Sequence, residues 1–185
     1  MQFTTCHIPG LLVVEPKVFE DSRGYFFESF NQKLFTDHGI NCQFVQDNQS
    51  KSSYGVIRGL HFQENPYTQA KLVRVLNGSI LDVAVDIRKG SPTYGQHFSI
   101  ELTSDNKKQL WVPAGFAHGF SVLSETAIVL YKCDQFYNKA SEGGVRWDDE
   151  DLNIDWKIPT GKAVVSEKDQ QLPSFKDLVT NFHYT

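Results

Sequence analysis

Cysteine, methionine and long apolar runs are what this 185-residue sequence is short of. Cys6, Cys42 and Cys133 are too few, and odd in number, for a disulfide framework, and no apolar leader segment opens the chain. Ordinary thiols and a cytoplasmic location are therefore expected. Apolar runs such as Ala127 to Tyr131 fall far short of the ~20 residues a membrane helix needs, so no membrane span is expected. Positive charge is also lacking: 18 Lys and Arg against 22 Asp and Glu leave a formal charge of −4. That balance argues against a nucleic-acid partner, whose nonspecific binding rests on many phosphate contacts. A small anion needs only a few converging cations, and Arg23, Arg58, Lys71 and Arg74 stand among apolar residues.

Aromatic residues are plentiful, with 14 Phe, 7 Tyr and 3 Trp, which favours β-structure and offers flat surface to a planar ligand. The length suits one domain over residues 1–185, enough to bury roughly 70% of the unfolded surface. Period-two patterning predicts strands at Leu11 to Phe19, Gly24 to Phe30, Gly55 to Gln63, Lys71 to Leu76, Ile80 to Arg88, His97 to Thr103, Lys108 to Val112, Ala117 to Leu123 and Thr126 to Asp134. In the clearest of these, Leu81, Val83, Val85 and Ile87 alternate with Asp82, Ala84, Asp86 and Arg88, giving one apolar and one charged face. Asn77-Gly78 just before it is a hairpin signal. Short helices are expected at Gln32 to His38, stopped by Gly39, and within Glu167 to Leu178, interrupted by Pro173. Many short strands at this spacing predict a mainly β sandwich or jelly roll with a few short helices.

Pro113-Ala114-Gly115-Phe116-Ala117-His118 fits the Pro-x-Gly-x-x-His strand of a cupin-like metal site, where a second strand would carry His-x-His. That second strand reads His61-Phe62-Gln63, and Gln replaces imidazole poorly in a site that needs three or four converging ligands. No metal is expected, and His61 is left free to act as a base. Period two sets Gly59, His61 and Gln63 on one face and Arg58, Leu60 and Phe62 on the other. A hydrogen-bonded structural histidine is the competing reading. Lys71 is either a solvated strand-end charge or an ammonium placed to stabilise an oxyanion. Tyr131 is either packing or the acid that complements His61. Ser166-Glu167-Lys168-Asp169 is either a solvated charge run or the source of a carboxylate that fixes the His61 tautomer.

Together these segments resemble the dTDP-4-dehydrorhamnose 3,5-epimerase family across nearly the whole chain. The resemblance rests on Arg23-Gly24-Tyr25-Phe26-Phe27-Glu28, Arg58-Gly59-Leu60-His61-Phe62-Gln63, Gln69-Ala70-Lys71-Leu72-Val73-Arg74, Asp82 to Arg88, Gln109 to Phe120 and Ser166-Glu167-Lys168-Asp169. It implies a cupin jelly roll, a homodimer exchanging N-terminal strand contacts, no cofactor, and a thymidine diphosphate-linked 4-keto-6-deoxyhexose as substrate. By the same resemblance His61 is the base, Asp169 its orienting partner, Tyr131 the acid on the opposite sugar face, and Lys71 the cation near the 4-keto oxygen. Arg23, Glu28, Gln46, Asn48, Arg58, His118, Tyr137, Glu142 and Lys168 are implied to hold substrate, with Arg23 reaching the neighbouring subunit's site. Ala114 stands where the family pattern has Glu, and Cys133-Asp134-Gln135-Phe136-Tyr137 departs from a more Thr- and Tyr-rich stretch. Three other functions remain as alternatives: an epimerase or ketoisomerase acting at a single position of a related sugar nucleotide, a metal-dependent cupin oxygenase, and a noncatalytic sugar-nucleotide binding module.

Overall fold

A computed structural model describes residues 1–159 and 161–184. In chain order the strands are β1 (Gln2–Thr5), β2 (Leu12–Glu15), β3 (Phe19–Asp21), β4 (Gly24–Phe26), β5 (Gln46–Ser53), β6 (Val56–Gln63), β7 (Lys71–Asn77), β8 (Ser79–Asp86), β9 (His97–Thr103), β10 (Gln109–Val112), β11 (Phe116–Val122), β12 (Thr126–Cys133), β13 (Glu142–Gly144) and β14 (Val164–Val165). Helix α1 spans Gln32–Asp37 and helix α2 spans Glu167–Gln170. One sheet runs β1-β2-β10-β7-β12-β5, the facing sheet runs β13-β6-β11-β8-β9 with β14 beside β6, and β3 and β4 form a separate hairpin. This is the mainly β sandwich that the patterning predicts.

Apolar side chains fill three layers. Val73, Val75, Leu110 and Val129 of the first sheet meet Ile80, Leu102, Phe120 and Val122 of the second between the sheets. Outside the second sheet, Leu81, Val83, Val85 and Ile87 are covered by Leu152, Trp156 and Phe182. Outside the first, Val14, Leu72 and Trp111 are covered by Phe35 of α1 and by Ile40. The apolar face of β8 thus points outward beneath the C-terminal segment. Its charged face points inward, which is why Asp82 is wholly buried.

Two expectations are corrected here, and one long strand is new. Asn77-Gly78 does not close a hairpin, since β7 and β8 lie in opposite sheets and the turn carries the chain across the sandwich. Gly78 has φ +79°, and a Cβ there would come within 2.1 Å of the Thr126 carbonyl oxygen, so this crossing requires glycine. The strand read as Leu11 to Phe19 is broken into β2 and β3, with Pro16 in the gap. Strand β5 escaped the patterning because its half-buried Gln46, Asn48 and Ser50 alternate with exposed Asp47, Gln49 and Lys51, leaving no apolar period to detect. Among the described residues no helix is long and apolar enough to cross a membrane.

Candidate active site

Between the sheets lies a cavity of about 510 Å³. His61, Arg58 and His118 line it from β6 and β11, Lys71 and Tyr131 from β7 and β12, and Lys168 and Asp169 from α2. Sequence positions from 58 to 169 are thereby drawn to one place. The two candidate proton carriers belong to opposite sheets, and so to opposite walls.

A local irregularity sets the β6 wall. β6 and β11 pair His61 with His118 and Arg58 with Phe120, so Gly59 and Leu60 together face Gly119 in a β-bulge. The extra residue breaks period two and turns Arg58 to the cavity side with His61, correcting the expectation that they occupy opposite faces. The backbones approach closely here: a Cβ on Gly59 would lie 2.6 Å from Gly119 Cα, and one on Gly119 would lie 2.6 Å from the Arg58 carbonyl oxygen.

Asp169 reaches His61 because α2 begins immediately after β14, which pairs with β6. Ser166 caps the helix, its Oγ accepting from the Asp169 N–H at 3.1 Å. Asp169 Oδ1 then lies 2.7 Å from His61 Nε2, and Oδ2 accepts from the Gly59 N–H at 3.4 Å. Burial pushes the Asp169 carboxyl pKa up, but His61, Gly59 and Ser166 together pull it below the usual aspartate value. An ionised carboxylate only accepts, so Nε2 carries the proton and Nδ1 is the basic nitrogen.

A second histidine–carboxylate pair sits deeper. His118 Nε2 lies 2.8 Å from Asp82 Oδ1, and the other Asp82 oxygen is buried without a hydrogen-bond partner among the described residues. Asp82 has no role in the reading of the sequence, although its place on the charged face of β8 is a usable signal. On the opposite wall Lys71 has its pKa lowered by burial, against the support of Cys133, Asp82 and Glu142. Tyr131 has its pKa raised by burial and by Cys133, with Arg58 acting the other way. At neutral pH the phenol therefore holds its proton.

At the rim, Glu142 Oε2 is 2.6 Å from Lys168 Nζ and accepts from the Tyr137 hydroxyl at 3.1 Å. Gln46 and Asn48 bond each other on β5, and Gln46 Oε1 accepts from the Tyr137 N–H. Arg23 and Glu28 are not brought to the cavity: Arg23 sits exposed at the β3–β4 turn paired with Asp21, and Glu28 accepts from Asn31. Gln63, the residue in place of a metal-binding histidine, ties its amide to the loops that follow β6 and β12, donating to the Tyr67 and Phe136 carbonyls and accepting from the Asn138 N–H. Among the described residues no group of three or more His, Cys, Asp or Glu is arranged to hold a metal ion.

The family model described as dTDP-4-dehydrorhamnose 3,5-epimerase matches residues 5–177. The chain is 51% identical over 178 residues to the dTDP-4-dehydrorhamnose 3,5-epimerase of Shigella flexneri, covering 96% of this chain and 97% of that one. It is similar to the crystal structure of dTDP-4-dehydrorhamnose 3,5-epimerase from Elizabethkingia anophelis, with TM-score 0.93 and 56% identity over 96% of this chain and 97% of the other. The Legionella pneumophila dTDP-6-deoxy-D-glucose-3,5-epimerase, solved in complex with dTDP-4-keto-L-rhamnose, superposes with TM-score 0.95 at 43% identity, covering 100% of this chain and 98% of that one.

Proposed function

The chain belongs to the dTDP-4-dehydrorhamnose 3,5-epimerase family, and from that premise we propose that it inverts carbons 3 and 5 of dTDP-4-dehydro-6-deoxy-D-glucose to give dTDP-4-dehydro-L-rhamnose. Both carbons flank the 4-keto group, so loss of either hydrogen as a proton leaves an enolate on the same oxygen. One site can therefore serve both centres. His61 Nδ1 takes the proton, Asp169 stabilises the imidazolium that forms, and Tyr131 returns a proton to the opposite face of the carbon.

The energetic difficulty lies in the first step. An imidazole faces a carbon acid about a dozen pK units weaker, a mismatch of about 16 kcal/mol. Lys71 meets part of this as a desolvated ammonium beside the developing O4 charge, where a preorganised donor is worth roughly 3 to 4 kcal/mol. The observation that carries the reading is the placement of His61, tied to Asp169, and of Tyr131 with Lys71 on facing walls of one cavity.

In this reading Arg58 and Lys168 hold the diphosphate, His118 contacts the sugar, and Gln46, Asn48, Glu142 and the exposed Tyr137 ring serve the nucleoside at the rim. Arg23 and Glu28, on an exposed segment away from their own cavity, serve the site of a second copy in a homodimer. In deuterated water, label should enter the sugar at both carbons. Incorporation at carbon 3 alone would make the protein a single-site epimerase, and incorporation at neither would overturn the proposal.

A further inference from the structure

The strand that the sequence concealed also supports a cation in the cavity mouth. Arg58 is exposed and has one side-chain hydrogen bond among the described residues, from Nε to Ser52 Oγ at 3.0 Å. Ser52 is itself buried, at 8% exposure, on the inward face of β5. The bond crosses the tight turn at Tyr54-Gly55 and so joins the edge of one sheet to the first residues of the strand carrying His61. Ser50, one pleat away on the same face, has a buried hydroxyl with no partner among the described residues, so it does not share in holding the guanidinium.

This geometry suits anion recognition. With Nε engaged, both terminal nitrogens of Arg58 remain available as a fork, the arrangement that takes two oxygens of a phosphate side by side. An exposed arginine otherwise samples many rotamers and loses that freedom on binding. Tethering Nε before the ligand arrives lowers this loss.

We propose that Ser52 is a positioning residue that presents the Arg58 guanidinium to the substrate's diphosphate, an inference that rests on the function proposed above. Ser52 touches no substrate atom and acts only through Arg58. Its removal should weaken diphosphate binding more than it slows the chemical step, and should do so only while Arg58 is present.

The test is a double-mutant cycle on the full chain, with thymidine diphosphate as the calorimetric ligand. Thr and Val have the same shape and both suit strands, so comparing Ser52→Thr with Ser52→Val isolates the hydroxyl, while melting temperatures verify that each variant folds. Ser52→Val is expected to bind about fivefold more weakly than Ser52→Thr, with KM rising more than kcat falls. In an Arg58→Ala background the two should bind alike. If Arg58→Ala weakens binding while the Thr and Val variants match each other, or if their difference persists without Arg58, the tether is overturned and the proposed function stands. If Arg58→Ala itself binds like the unsubstituted protein, the placement of the diphosphate fails and the inference falls with it.

Discussion

The cavity holds two histidine–aspartate pairs whose separations are nearly equal, 2.7 Å for His61 with Asp169 and 2.8 Å for His118 with Asp82. Their surroundings are not equal. The His61 side chain is 32% exposed and its aspartate arrives from a one-turn helix distant in sequence, whereas the His118 side chain is 7% exposed and its aspartate is wholly buried in the adjacent strand. A hydrogen-bonded histidine is thus not by itself a base. In the proposed mechanism the open pair accepts a substrate proton and gives it up again, while the closed pair forms part of the wall.

The largest expected effect separates the pairs by function. His61→Ala should lower turnover roughly a thousandfold, within the range spanned by general bases, with little change in melting temperature because its ring is partly solvated. Asp169→Asn should follow with a loss on the order of a hundredfold, since the amide no longer enforces the Nε2–H tautomer. Asp82→Ala should behave differently, costing about 3 kcal/mol of folding free energy by leaving His118 buried without its acceptor. A melting temperature as high as that of His61→Ala would show that the inner pair is not structural.

A smaller effect is a shift in pH dependence. Lys71 is shifted below its ordinary value of 10.5 and Tyr131 above its ordinary value of 10.0. Burial thus brings loss of the ammonium to lower pH and ionisation of the phenol to higher pH, and the alkaline fall in kcat/KM is expected to follow Lys71. Lys71→Arg should move that limb upward even if the rate drops. Asp82→Asn should move it downward, because the Asp82 charge supports the ammonium. A limb unchanged in both variants would assign it elsewhere.

The parts of this arrangement that follow from local pattern were legible in the sequence. β8 and β9 announce themselves by alternation, and α1 by its stop at Gly39. Residues lining the site were harder to place for a physical reason: a polar cavity erases the apolar period that marks a strand, which hid β5 together with Ser52. The bulge at Gly59 reversed the expected face of Arg58, because one added residue inverts a period-two reading. Asn77-Gly78 suits a hairpin and a crossover equally well, and only the packing of the two sheets distinguishes them. Asp169 was a candidate by residue type, but the contact with His61 depends on where β14 docks against β6.

The division of labour between the two cavity walls is tested most directly by following deuterium uptake into substrate with His61→Ala and Tyr131→Phe in parallel. Loss of the base should abolish exchange at both carbons. Loss of the acid should block turnover while the base still removes a proton and returns deuterium to the same face. Matching behaviour of the two variants in both exchange and turnover would contradict the assignment of base and acid to opposite walls.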